Sequence, residues 1–178
     1  MSELKSFQSE ITVLMILFKE EYEMVSSCLN NIKNFKVIII DNANDENLKK
    51  KILEEFKIYK YILNKKNIGF ASAAHQGINL CETSHMLFLT ADCHLTEENI
   101  FFLYEAKKKY LNCMITSPTF YDEKGFLTYN GGPLPENGNK FFPLNLEGDA
   151  CVEAVITTAI LFNISEIKKI GSIDPNFF

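Results

Sequence analysis

Two carboxylates in this chain stand where a sheet would present them. Met86–Thr90 (MLFLT) is an apolar, strand-like run that ends on a turn carrying Asp92, and Lys36–Ile40 (KVIII) runs straight into Asp41. A hydrophobic strand that stops at an acid delivers that acid to the carboxyl edge of a sheet, where open α/β folds bind their ligands. A lone carboxylate such as Asp92 suits Mg²⁺ or Mn²⁺ on a diphosphate. Such hard cations take oxygen ligands, few of them from the protein at phosphate sites. The plain reading of Asp92 is an Asx turn. Asp41, acceptor-only when ionised, matches the N3–H of uracil or thymine or the N1–H of guanine, donors that cytosine and adenine lack. Its plain reading is the acid that starts the turn into the next helix. Thr90, two residues before Asp92, has a hydroxyl to offer a ribose.

A third stretch, Asn67-Ile-Gly-Phe-Ala-Ser-Ala-Ala-His75, joins a strand to a helix. Gly69 permits a positive φ or a close backbone approach. The loop amides and His75 are then candidates for lining a diphosphate, and an ordinary helix start is the alternative. Cys81, His85, Cys93 and His94 match no common zinc spacing. The chain has no GxGxxG after its first strand, no Walker lysine motif, no GxSxG and no CxxC. The first strand leads into Phe18-Lys-Glu-Glu-Tyr22 rather than a glycine-rich loop, which counts against a nucleotidyltransferase that makes sugar nucleotides.

Strand and helix patterns alternate around these residues. Ile11–Phe18, Phe35–Ile40, Tyr59–Leu63, Met86–Thr90 and Cys113–Ser117 read as strands. Helical spacing recurs over Glu21–Lys33, in Leu48, Ile52 and Phe56, over Ala73–Leu80, and from a Thr96 cap to about Tyr110. Asn44 or Asp45 is placed to cap the second of these helices. The repeated βα order predicts an α/β fold with a mostly parallel central sheet flanked by helices. Beyond Pro118 the pattern predicts a hairpin about Tyr121–Phe126, a loop over Asn130–Phe142 of lid-like length, and a strand in Val152–Phe162. A short helix capped by Ser165 and closed by Gly171 follows.

Bulk properties set the frame. At 178 residues the chain has room for one domain with a sizeable core. The net charge of −5 argues against a nucleic-acid partner. The lysine runs 49–51, 65–66 and 107–109 read as solvated faces. No run approaches the roughly 20 apolar residues of a membrane span, and the N-terminus has no signal core. Five cysteines, odd in number and without CxxC spacing, read as reduced and buried thiols of a cytoplasmic protein.

Taken together, ILFKEEYEMVSSCLNNI, IIIDNANDEN, NIGFASAAHQGI, LTADCHL and TTAILFNISEIKKIGSIDPNFF resemble the motifs of family-2 glycosyltransferases, especially rhamnosyltransferase-like members. NIGFASAAHQGI is the most specific of them. The resemblance, from about Ile11 to Phe178, implies the GT-A fold over a single domain, residues 1–178. It also implies an inverting transfer from a nucleoside-diphosphate sugar, UDP- or dTDP-type, to a glycan or lipid-linked acceptor. It implies that Phe18 and Glu20 flank the base, Asp41 reads it, Asn67, Gly69 and His75 belong to the nucleotide-sugar site, and Asp92 holds the metal. A role in bacterial surface-glycan assembly, with peripheral association at the inner membrane face, is what it most often implies. Thr90 stands where the first acid of a DxD motif is usual, and His75 where the glycine loop usually has asparagine. Family members follow the segment similar to SIDPNFF with an acidic pair that supplies the general base. The expectation is therefore a catalytic domain lacking its C-terminal portion, with the base beyond Phe178. Asp149, Glu153 and Asp174 are the acids within the chain to consider. A non-catalytic nucleotide-sugar-binding remnant or partner subunit is the competing expectation.

Overall fold

The computed structural model describes residues 7–133 and 148–177. Strands β1 (Ile11–Leu17), β2 (Lys36–Asp41), β3 (Lys60–Leu63) and β4 (His85–Leu89) alternate with helices α1 (Tyr22–Asn31), α2 (Glu46–Glu55), α3 (Phe70–Leu80) and α4 (Glu97–Lys109). Then come β5 (Ile115–Thr116), the β6–β7 hairpin (Phe120–Tyr121, Leu127–Tyr129), β8 (Ala159–Asn163) and α5 (Ile164–Lys169). The main sheet has the order β3-β2-β1-β4-β8-β5. The first four strands are mutually parallel, and β8 runs antiparallel to both β4 and β5.

Side chains alternate across each strand, so the sheet is buried on both faces, as a parallel sheet requires. Val13, Met15, Val37, Ile39, Leu87 and Leu89 meet α1, α2 and α4 on one side. Leu14, Ile38, Ile40, Met86, Phe88 and Phe162 meet α3 and α5 on the other. The small residues Ala73, Ala74 and Gly77 let α3 lie close to the sheet. A Cβ at Gly77 would fall 2.5 Å from Leu14 Cδ2.

Local signals set most helix starts. The Asp45 carboxylate accepts from the amides of Asn47 and Leu48 at 2.9 Å each. Thr96 and Asn99 form a capping box at α4. The hairpin turns at Gly125, with Asp122 Oδ1 accepting from Lys124 and Phe126.

Several expectations are corrected. The short last helix is capped by Asn163, whose side chain accepts from the amides of Ser165 and Glu166, and not by Ser165. Within Val152–Phe162 the strand begins only at Ala159; upstream, Ala154 makes a single bridge to Gly132. Helix α3 starts at Phe70, ahead of Ala73. Lys107 is no solvated lysine, because it is buried and its Nζ lies 2.8 Å from Glu166 Oε2, tying α4 to α5. Cys28 and Cys93 are buried, but Cys151 is exposed. Of the lid-like loop, 134–142 lies outside the described residues, as does Phe178. Among the described residues no helix is long and apolar enough to cross a membrane.

Candidate functional site

The ends of β1, β2, β3 and β4 share one edge of the sheet. From β1 the chain crosses to β2 on one side, and β4 returns on the other. The crevice beyond the carboxyl ends of β1 and β4 is thus the topological switch point, where such sheets hold ligands. The chain leaves β1 through Phe18, Lys19 and Glu20. Phe18 is exposed, Lys19 has φ 70°, and the Phe18 amide donates to the Glu20 carboxylate.

Asp41 ends β2 and is fully buried. Oδ1 accepts from the amides of Ala43 (2.7 Å) and Asn44 (3.0 Å); Oδ2 accepts from Asp45 (3.3 Å) and from the Tyr61 hydroxyl (3.2 Å). A carboxylate has about four lone-pair positions, and here each has a donor. The side chain holds the turn into α2, and any base donor must displace a bond on Oδ2, the oxygen with the longer contacts. Burial raises the pKa of the Tyr61 hydroxyl, helped by the carboxylates of Asp41, Asp45 and Glu20. Those three acids therefore crowd one end of the edge.

Asparagines stitch the neighbouring loops together. Asn64 Nδ2 donates to Asn42 Oδ1 (2.9 Å) and Gln76 Oε1 (3.2 Å), and Asn42 Nδ2 reaches the Gly69 carbonyl (3.3 Å). Asn67 Oδ1 accepts from the Gly69 amide at 2.8 Å, and Gly69 adopts φ 81° before α3 begins. His75 faces elsewhere: its Nδ1 is 3.1 Å from the Ile173 carbonyl, and Ser72 Oγ donates to the Pro175 carbonyl at 2.6 Å. These contacts fasten the 173–175 segment along α3.

Beyond β4, the Thr90 amide donates to the Thr158 carbonyl at 3.0 Å, and the Thr90 hydroxyl donates to Asp92 Oδ1. Asp92 is exposed at the mouth of the crevice with one oxygen oriented by its neighbour. Beneath it the Cys28 thiol faces the Cys93 carbonyl at 3.6 Å. Burial, with Cys93 and Asp92 nearby, pushes that thiol up to about 12, and burial and Asp92 push Cys93 to about 11. Neither is a thiolate at neutral pH. Cys81 and Cys93 pack in opposite layers of the core, so they do not join in a zinc site. No group of three His, Cys, Asp or Glu side chains converges among the described residues. The donor set that remains, Asp92 beside Thr90, fits a hard cation that takes most of its oxygens from a phosphate ligand.

The three acids considered as bases part company. Asp149 accepts from Tyr110 (3.0 Å) and Lys109 (3.3 Å), and these bonds, in that order, lower its pKa. They hold it at the far end of α4, about 20 Å along a 13-residue helix from the end beside Asp92. Asp174 Oδ1 accepts from the backbone amide and side chain of Asn176, shaping a turn. Glu153 stands on the segment that runs into Thr158 and lines a cavity of about 1150 Å³ between α4 and residues 148–155. The fold therefore gathers Phe18, Glu20, Asp41, Asn67, Gly69, Thr90 and Asp92 at one edge and leaves His75 and Asp149 outside it. Tyr61, Asn64 and Thr158 join the site without a local sequence signal. Lys19 stands between Phe18 and Glu20, the two residues the resemblance marks.

Residues 12–162 match the family model described as Glycosyl transferase family 2. No curated protein matches the chain. Among solved structures, the mannosyltransferase PcManGT from Pyrobaculum calidifontis, in complex with GDP-Man and Mn²⁺, is similar at TM-score 0.66 and 10% identity, over 97% of this chain and 49% of that one. TarS 1–349 of S. aureus is similar at 0.59 and 13% identity, over 90% of this chain and 49% of its own. Its complex with UDP gives 0.58 and 14%, over 90% and 48%. At such identities the likeness is one of fold, and the chain spans about half the length of these structures.

Proposed function

The chain belongs to glycosyl transferase family 2, and from that premise we propose that it binds a nucleoside-diphosphate sugar across the ends of β2, β1 and β4. The sugar passes to a glycan or lipid-linked acceptor with inversion. The observation that carries this reading is the pair Asp41 and Asp92 on either side of the switch point, one buried at the end of β2 and one exposed beyond β4.

The base lies against the Phe18 turn, and its N–H exchanges for a partner of Asp41 Oδ2. Among the bases only uracil, thymine and guanine carry a ring N–H, cytosine and adenine having exocyclic amino donors instead, which favours a UDP, dTDP or GDP donor. Gly69 and Asn67 keep the neighbouring loop close to the nucleotide. Thr90 fixes one oxygen of Asp92, leaving the carboxylate to hold Mg²⁺ or Mn²⁺. When bound, the cation supplies positive charge to the departing diphosphate.

The acceptor hydroxyl needs a base for direct displacement at the anomeric carbon. Asp174 is committed to its turn and Asp149 lies down the helix, and the resemblance implies a general base outside these residues. Glu153 is the first candidate within the chain.

The test is incubation with UDP-, dTDP- and GDP-sugars and Mn²⁺, with released nucleotide read against Asp92→Asn. Metal-dependent release lost in the variant supports the reading. Binding without release favours the non-catalytic partner subunit, and binding of no sugar nucleotide overturns both.

A further inference from the structure

The permanently cationic side chains of this protein are all lysines: it has 18 Lys and no Arg. The carboxyl edge is conspicuously acidic, with Glu20, Asp41 and Asp45 around Tyr61 and Asp92 beyond β4. A diphosphate entering such an edge meets repulsion unless a cation offsets it. Asp92 with a metal serves only the β4 side.

Strand β1 lies between β2 and β4. Leu17 pairs with Asp41, so β1 and β2 end level; Leu14 pairs with Phe88, so β4 ends two residues earlier and its Thr90–Asp92 turn comes up beside the end of β1. Adjacent strands are about 4.8 Å apart. The atoms joining a base at the β2 end to phosphates at the β4 end therefore cross the end of β1, where Lys19 stands. Lys19 is exposed, and among the described residues it pairs with no carboxylate; its Nζ sits 5.3 Å from the centre of the Phe18 ring. It also holds φ 70°, a left-handed conformation uncommon for a residue with a long side chain. Backbone outliers of this kind cluster at ligand clamps.

Resting on the donor-binding reading above, we propose that Lys19 is a phosphate-binding residue of that site. From the end of β1 its ammonium supplies the positive charge that nucleoside-diphosphate phosphates need as they cross from the Asp41 turn to the Asp92 turn.

The experiment measures binding of uridine, UMP and UDP, and of the guanosine series, by calorimetry in EDTA and in Mn²⁺. The chains compared are wild type, Lys19→Asn and Lys19→Arg. Asparagine tolerates the left-handed φ without the charge, so thermal unfolding should be unchanged. The expected result is UDP or GDP weakened at least tenfold in Lys19→Asn, even in EDTA, with nucleoside affinity unaltered and phosphate affinity retained in Lys19→Arg. The phosphate increment should also lose its salt dependence in Lys19→Asn. Equal nucleoside-diphosphate affinity in wild type and Lys19→Asn overturns the assignment while leaving the donor site standing. Equal weakening of nucleoside and diphosphate also overturns it, since the lysine then only shapes the turn. If wild type binds neither series, the donor-site reading falls and this one with it.

Discussion

Replacing Asp41 by asparagine separates the two jobs given to this residue, because the amide keeps the shape and changes one oxygen into a donor. Oδ1 would go on accepting from Ala43 and Asn44. The new Nδ2 would face the Asp45 amide and the Tyr61 hydroxyl. Tyr61 can turn its hydroxyl to accept. The Asp45 N–H cannot, and it is left against another donor at the residue that caps α2. An orphaned donor costs about 1–3 kcal/mol, and the retained bonds lose charge assistance. The sum is about 3 kcal/mol, or roughly 9 °C in Tm for a chain of this size. Tyr61→Phe removes one bond to Oδ2 and orphans nothing, so it should cost about 1 kcal/mol and roughly 3 °C. It also frees Oδ2 for a base, so nucleotide affinity should hold or improve. Thermal unfolding of both variants, with and without UDP, reads both effects. Wild-type stability in Asp41→Asn would refute the turn-holding role, and loss of nucleotide binding in Tyr61→Phe would refute the exchange at Oδ2.

Asp92→Asn should keep the fold and abolish the Mn²⁺-dependent part of nucleotide binding, because the amide lacks the charge the cation needs; calorimetry with and without metal reads this. Lys107→Met should lower stability by about 2 kcal/mol in denaturant melts. The loss is smaller than for a fully buried pair, since the Glu166 side chain keeps 32% exposure and some solvation when its partner goes. His85 is held below its ordinary pKa chiefly by burial. Its unfolded form gains a proton first, so its contribution to stability is complete above about pH 6.5 and is lost as pH falls below that. His85→Gln should flatten the slope of Tm between pH 7.5 and 5.5.

The elements that place the site were written locally. Apolar runs mark β1, β2 and β4, and Asp45 and Thr96 announce the helices they cap. Lys107 was legible too, for Ile100, Leu103, Tyr104 and Lys107 fall on one helical stripe, and the stripe outranks the charge run that suggested a solvated face. What could not be read was long-range. The antiparallel direction of β8 depends on partners far away in the chain. The Asn42–Asn64–Gln76 ladder and the Tyr61 bond to Asp41 join separate loops. The place of His75 after the glycine loop suggests a diphosphate contact, yet the 173–175 segment packs there and takes its Nδ1. Asp41 showed its acid but not that the following amides fill it.

The central claim is that the strand-end edge reads a nucleoside diphosphate through Asp41 and a metal through Asp92. It is tested most directly by thermal unfolding with Mn²⁺ and UDP, dTDP, GDP, CDP or ADP in turn. A ligand at about 100 times its Kd adds roughly 2.7 kcal/mol, a rise of about 8 °C for a chain of this size. The account predicts that rise with at least one of UDP, dTDP and GDP, and none with CDP or ADP. Equal rises with ADP, or no rise with any of the five, would contradict it.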